Sequence, residues 1–227
     1  MVNVLVYGMT DNPGGMESCI MNYYRNIDSE KVHFDFLCNC YPMVYREEVT
    51  LNGSEIFYIP KKGKNPIGYY KAIDKFFKEN SKKYDYIWYN TCTLANIDYL
   101  VYAKKYGIKN RIIHAHNAGN EASKLKGFFH KINRKKVHKI ANIYWSCSEI
   151  ASDFFYLPHV KELKEHRYIT NAIDLNKYLF QLNVRNELRT ALKIENSFVV
   201  GHVGRFTPQK NHLFLLDIFN EILKRKP

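Results

Sequence analysis

Two cations, Arg205 and Lys210, stand in a glycine-bearing segment between the apolar run Phe198 to Val203 and a set of helically spaced apolar residues. That set is Leu213, Leu216, Ile218, Phe219, Ile222 and Leu223, and its spacing predicts a helix, while the preceding run predicts a buried strand. A strand, a loop and a helix start carrying two fixed positive charges suit a diphosphate. The helix end offers free N–H groups and partial positive charge, and the side chains add full charges. Cations at a helix N-terminus are otherwise mildly unfavourable, so an anion is expected to offset them.

A second candidate is the paired glycine Gly14-Gly15 after the first strand. Its surroundings, Gly8 to Glu17, lack the Gly-x-Gly-x-x-Gly spacing of a dinucleotide site and the Lys-Ser/Thr of a P-loop. What remains is either a tight strand-to-helix turn or a place where backbone N–H groups approach a ligand closely. A third is His114-Ala115-His116-Asn117, with two histidines on one side of a strand end. His116 and Asn117 are expected to face a cleft, and His114 to be a satisfied packing histidine. No third ligand stands at metal-binding distance in the sequence, so no metal site is expected. Five cysteines, scattered and odd in number, read as buried reduced thiols.

These residues need a scaffold, and the hydrophobic pattern supplies one. Apolar runs at Val2–Tyr7, His33–Cys38, Ile56–Ile59, Asp85–Asn90, Asn110–His116, Asn142–Cys147 and Arg167–Thr170 alternate with helical stretches. Helices are predicted over Met16–Ile27, Gly68–Asn80, Leu94–Tyr106, Ala122–Ile140, Glu149–Tyr156 and Val184–Leu192. Near-continuous apolar strands suit parallel strands covered on both faces. The fold class is therefore α/β, a doubly wound Rossmann-like domain over residues 1–178 and an incomplete second one over residues 179–227. In such sheets ligands bind at the carboxyl ends of the strands, where Gly14-Gly15, Asn90-Thr91, His116-Asn117, Ser148 (a predicted helix cap) and Asn171 all fall.

The net charge of +12 points to an anionic partner: nucleic acid, anionic lipid or a phosphorylated substrate, although a merely basic, soluble surface gives the same number. No nucleic-acid-binding module is recognisable, so nucleic acid is not expected. Residues 131–139 carry five lysines and arginines on a predicted helix with Phe128, Phe129, Ile132, Val137 and Ile140 interspersed. They form either the solvated face of a core helix or a surface that meets anionic headgroups. No stretch approaches the roughly 20 apolar residues of a membrane-spanning helix, and the first strand begins without a signal peptide's basic start or cleavage site. The expected location is the cytoplasm, with peripheral contact at the inner membrane face.

Taken in order, Gly14-Gly-Met-Glu17, Ile112-Ile-His-Ala-His-Asn117, Trp145-Ser-Cys-Ser-Glu149, Asn171-Ala-Ile-Asp174 and Gly201 to Asn211 resemble the GT-B retaining glycosyltransferases of family 4 (glycosyltransferase group 1), of the capsular and exopolysaccharide biosynthesis type. The resemblance implies a hexosyl or other glycosyl transfer with retention from a nucleotide-diphosphate sugar to a lipid-linked or oligosaccharide acceptor, independent of metal and of any cofactor. It implies that Gly15, Arg205 and Lys210 bind the donor, that His116 contacts the transferred sugar at the catalytic centre, and that Gly14, Asn117, Ser148 and Asn171 line the acceptor side. Residues 1–178 would be the acceptor domain and 179–227 the start of the donor domain. The family's Asn-Gly-Ile-Asp appears here with Ala172, and its Glu-x7-Glu motif would lie beyond Pro227. The sequence is therefore expected to be inactive alone. Two alternatives are a non-catalytic acceptor- or phosphate-binding module and a GT-B nucleotide-sugar epimerase.

Replacing both Arg205 and Lys210 with alanine in the complete protein should abolish binding of the donor nucleotide. Each charge-assisted contact is worth roughly 1.5–3 kcal/mol, or about 10- to 100-fold in Kd. Titration calorimetry showing unchanged affinity would remove both residues from the donor site.

Overall fold

The computed structural model describes residues 1–119 and 123–225. The chain divides into two compact units, Met1–Asp174 and a second from Leu175 onward. The first runs β1 (Val2–Tyr7), α1 (Gly15–Asn26), β2 (Val32–Cys38), α2 (Arg46–Leu51), β3 (Ile56–Tyr58), α3 (Pro66–Asn80), β4 (Tyr86–Thr91) and α4 (Asp98–Lys105). It continues through β5 (Asn110–Ala115), α5 (Lys124–Arg134), β6 (Ile143–Ser146), α6 (Glu149–Phe155), α7 (Pro158–Lys161) and β7 (His166–Tyr168).

All seven strands are parallel, in the order β3-β2-β1-β4-β5-β6-β7. From β1 the chain winds outward to β3, then crosses back to β4 and winds the other way. Right-handed crossovers in opposite directions put their helices on opposite faces. Alternation within each strand feeds both. Leu5, Leu37, Ile87, Tyr89 and Ile113 join Tyr69, Ile73 and Phe77 of α3, Leu100 of α4 and Phe155 of α6. Val4, Val6, Phe34, Phe36, Trp88 and Ile112 pack with Ile20 and Met21 of α1 and Val49 of α2. On that second face Trp88, Ile112 and Trp145 line a shallow apolar groove of about 340 Å³.

A polar anchor sits on β2, next to the edge strand β3. Asp35, 6% exposed, accepts hydrogen bonds from the Tyr84 hydroxyl at 2.9 Å and the Glu55 backbone N–H at 2.7 Å, with His33 Nε2 at 2.9 Å. One carboxylate thus joins β2 to the chain entering β3 and to the chain entering β4.

Several expectations need correction. α4 starts at Asp98, not Leu94, because Thr91, Thr93 and Asn96 turn the chain first through side-chain bonds to nearby backbone groups. α2 and α7 are too short for their periodicity to announce them. The helix expected from Ala122 to Ile140 runs over Lys124–Arg134, followed by a separate 3-10 turn at Val137–Lys139; Ala122 lies outside the described residues. The basic stretch 131–139 is therefore not one helical face. Cys19, Cys38 and Cys40 are buried, but Cys92 is exposed and Cys147 half-buried.

The second unit holds α8 (Leu182–Ala191) and α9 (His212–Arg225). The strand expected from Phe198 to Val203 does not form: these residues have no regular structure, and Phe198 and Val203 are 92% and 100% exposed. β-pattern alone does not make a strand; its backbone groups need a neighbouring strand, and none stands there among the described residues.

Asp35→Ala should cost about 2–4 kcal/mol, because it removes three hydrogen bonds and strands the buried Tyr84 hydroxyl and the part-buried Glu55 N–H. Asp35→Asn should cost less. Urea unfolding checks this, and a midpoint unchanged in Asp35→Ala would show the anchor to be idle.

Candidate functional site

In a parallel sheet every carboxyl end lies on one edge, and here that edge gathers most of the distinctive side chains. At the switch point β1 and β4 are neighbours, and the residue after β1 is Gly8, with φ +128°. A Cβ at Gly8 would lie 2.6 Å from the Cβ of Asn90, so only glycine fits against β4 there. Asn90 is fully buried. Its amide nitrogen donates to the Tyr7 carbonyl at 3.1 Å, and its Oδ1 lies 2.9 Å from His116 Nε2. Since Oδ1 can only accept, Nε2 carries the proton and donates. Nδ1 is then the acceptor nitrogen of the neutral ring.

His116 follows β5, and its backbone N–H donates to Thr91 O at 3.1 Å, which fixes the loop to β4. Burial lowers its pKa from the ordinary 6.5 to about 4, so the ring is neutral at physiological pH. His114 is fully buried, its ring 4.1 Å from that of His116 and packed with Trp88 and Trp145. It packs as expected; neither ring nitrogen makes a hydrogen bond of good geometry, and the Ile169 backbone is its polar neighbour. Burial, with the neighbouring His116, lowers its pKa to about 3.

Gly14 caps the N-terminus of α1 in extended conformation, and Gly15 opens the helix, exposed, with nothing within 4 Å of where a Cβ would stand. Beside them lies a group that sequence reasoning passed over. Glu17 is buried, accepts from the Thr10 hydroxyl at 2.7 Å, and its Oε2 would stand 2.7 Å from a Cβ on Gly14. A carboxylate in the first turn already answers the helix's positive end. This corner therefore suits hydroxyl groups better than a phosphate. The Gly-Gly-x-Glu spacing was the available signal, since Glu at the third helical position folds back on the cap.

The other predicted residues are placed along the same edge. Ser148 caps α6, its hydroxyl oxygen accepting from the Ala151 N–H at 3.2 Å. Asn117 is spent on its own loop, accepting from the Ala118 N–H at 2.9 Å and donating to Gly119 O at 3.0 Å. Asn171 lies exposed beyond β7. The adjoining chain is tied to α1, where Asn22 Nδ2 donates to Ala172 O at 2.5 Å and the Tyr23 hydroxyl reaches Thr170 O at 3.4 Å. The structure thus joins Gly8, Asn90 and His116 directly, sets Glu17 against Gly14, and uses Asn117 and Ser148 to shape loops.

In the second unit Arg205 and Lys210 are exposed in the turn before α9. A short 3-10 turn, Pro208–Lys210, and Asn211 in left-handed conformation (φ +43°) deliver the chain to the helix. The Thr207 N–H donates to Arg205 O at 2.8 Å and the Lys210 N–H to Thr207 O at 3.0 Å, which folds the segment between the two cations.

No protein-family model matches the chain. It is 30% identical over 226 residues to "Putative glycosyltransferase EpsF" of Bacillus subtilis (strain 168), a match that covers 94% of this chain and 56% of EpsF. The chain thus spans little more than half the length of that relative. Among solved structures, HepE of Anabaena, crystallised with UDP-glucose, shares the fold with a TM-score of 0.71 at 18% identity, over 97% of this chain and 58% of HepE. HepE with UDP gives 0.72. A UDP-N-acetylglucosamine 2-epimerase follows more distantly, at a TM-score of 0.53 and 14% identity over 75% of this chain and 48% of its own.

His114 and His116 make the fold acid-sensitive. Both folded pKa values lie below the unfolded value of about 6.5, so the unfolded chain binds more protons between them. Their contribution is complete above about pH 6.5 and is lost as pH falls through about 4 and then 3. His114→Phe, which keeps a ring in a site walled by aromatic rings, should flatten the fall in urea midpoint between about pH 6.5 and 4.5 with little loss at neutral pH. An unchanged pH slope would mean that other groups govern acid unfolding.

Proposed function

We propose that this chain belongs to a retaining glycosyltransferase of family 4 that moves a sugar from a nucleotide-diphosphate donor to a lipid-linked or oligosaccharide acceptor in exopolysaccharide assembly. The observation that carries this reading is the 30% identity to EpsF across nearly the entire chain. The fold shared with HepE, which was crystallised with UDP-glucose and with UDP, supports it. In this reading residues 1–178 hold the acceptor and residues 179–227 belong to the donor domain.

The roles follow from the chemistry of each group. Arg205 and Lys210 are full cations on an exposed turn; they bind the diphosphate and neutralise the charge that builds on the departing nucleotide, so that no metal and no cofactor is required. Neutral His116, held by Asn90 through Nε2, presents Nδ1 as an acceptor for a hydroxyl of the transferred sugar. A neutral ring suits this task, because it positions a sugar without attracting phosphate. Gly15 lies against the donor sugar through its open backbone, with Glu17 as a further hydroxyl acceptor nearby. Gly14, Asn117, Ser148 and Asn171 shape the acceptor side.

The test is sugar transfer by the complete gene product across a panel of nucleotide sugars, with and without polysaccharide-type acceptors. Transfer that needs an acceptor is expected. His116→Ala should lower kcat by roughly tenfold or more through lost positioning, while costing only about 1 kcal/mol of stability. Nucleotide release that proceeds equally without acceptor would point instead to an epimerase, and donor binding without turnover to a binding module.

A further inference from the structure

α5 is built inside out. Its inward side is polar and is held chiefly by hydrogen bonds, with the His130 ring stacked on Phe154. His130 is buried; its Nδ1 accepts from the Leu94 N–H at 3.0 Å, and its Nε2 then donates to Phe154 O at 3.1 Å. Asn133 donates to Leu94 O at 2.7 Å, and Arg134 spans the Asp153 and Tyr156 carbonyls at 2.7 Å each, at the end of α6. Gly127 completes this buried side.

The opposite side is apolar and faces solvent. Leu125 is 65%, Phe128 58% and Phe129 44% exposed, with Ile132 half-buried beside them. At 100° per residue these four share one side of the helix. Lys124, Lys131 and Lys135 flank it on one edge and Lys126 on the other, all exposed. Residues 123–140 contain six lysines, one arginine and no acidic residue. A globular helix turns its apolar side inward. Here that side points outward between rows of cations, the arrangement of a helix lying in a bilayer interface, with aromatic rings among the acyl chains and ammonium groups at the phosphates.

We propose that the outer side of α5, led by Leu125, Phe128 and Phe129 and flanked by Lys124, Lys126, Lys131 and Lys135, is the surface by which this protein docks on an anionic lipid bilayer. The charge decides between occupants. A second copy of this chain would bring the same six lysines of its 123–140 segment against these, and repel, whereas anionic headgroups attract every one of them. This surface also differs from the 131–139 stretch that the sequence suggested. Arg134 is consumed by α6, and the apolar contact lies nearer the start of the helix.

Co-sedimentation of the protein with phosphatidylcholine vesicles, with and without phosphatidylglycerol, tests this. Binding should require phosphatidylglycerol and weaken as salt is raised. Phe128→Ser with Phe129→Ser should weaken it by roughly tenfold or more, and each of Lys124→Glu and Lys131→Glu by roughly fivefold or more. All four residues are exposed, so the thermal midpoint should hold. Phe128→Trp supplies a second reading that needs no loss of function: its added fluorescence should be quenched by brominated acyl chains in anionic vesicles. Absence of binding, equal binding to neutral vesicles, full binding by the double serine variant, or no quenching at position 128 would overturn the proposal. So would a dimer in solution that dissociates when the two phenylalanines are replaced.

Discussion

The contact between Gly8 and Asn90 governs what can be built above the sheet. β1 and β4 meet at the point where the winding reverses, and the chain leaving β1 passes so close to β4 that a Cβ on Gly8 would sit 2.6 Å from that of Asn90. That approach lets one buried amide bond the Tyr7 carbonyl on one side and His116 on the other. Three strand ends, β1, β4 and β5, are thereby registered by a single side chain. Remove the glycine and the amide must shift, and with it the bond that fixes the His116 tautomer.

Each unit carries its own chemistry. The strand-end edge of the first offers a neutral imidazole, helix-capping oxygens and a carboxylate, groups matched to hydroxyls. The turn before α9 offers two exposed cations, matched to phosphate. Glu17 sharpens the division, because a phosphate placed at the start of α1 would meet a buried carboxylate.

The sheet was legible because parallel strands buried on both faces read as unbroken apolar runs, as in Val2–Tyr7, and because each was followed by a helical period. That the distinctive side chains would gather on one edge followed from parallel topology alone. What the pattern could not reveal were interactions set by one atom: Asn90 choosing the His116 tautomer, His114 packed among rings with no well-formed hydrogen bond, Glu17 folding against Gly14. Nor could it foresee that Phe198 to Val203 would stay irregular, since strand propensity says nothing about whether a neighbour stands alongside.

α5 shows the deepest limit of periodicity. An apolar stripe at helical spacing is ordinarily read as the buried side, since burial is what apolar groups gain most from. That inference assumes no other way to attach the helix. Here His130, Asn133 and Arg134 bond backbone groups that turns and helix ends leave unpaired, at Leu94, Asp153, Phe154 and Tyr156. Those carbonyls and that N–H need partners whichever way the helix faces. Once the polar side has satisfied them, the apolar side is released to face outward, and the same stripe becomes a surface. The orientation of an amphipathic helix is thus decided by the unpaired backbone groups beneath it, and these belong to other elements, about thirty residues before it and twenty after.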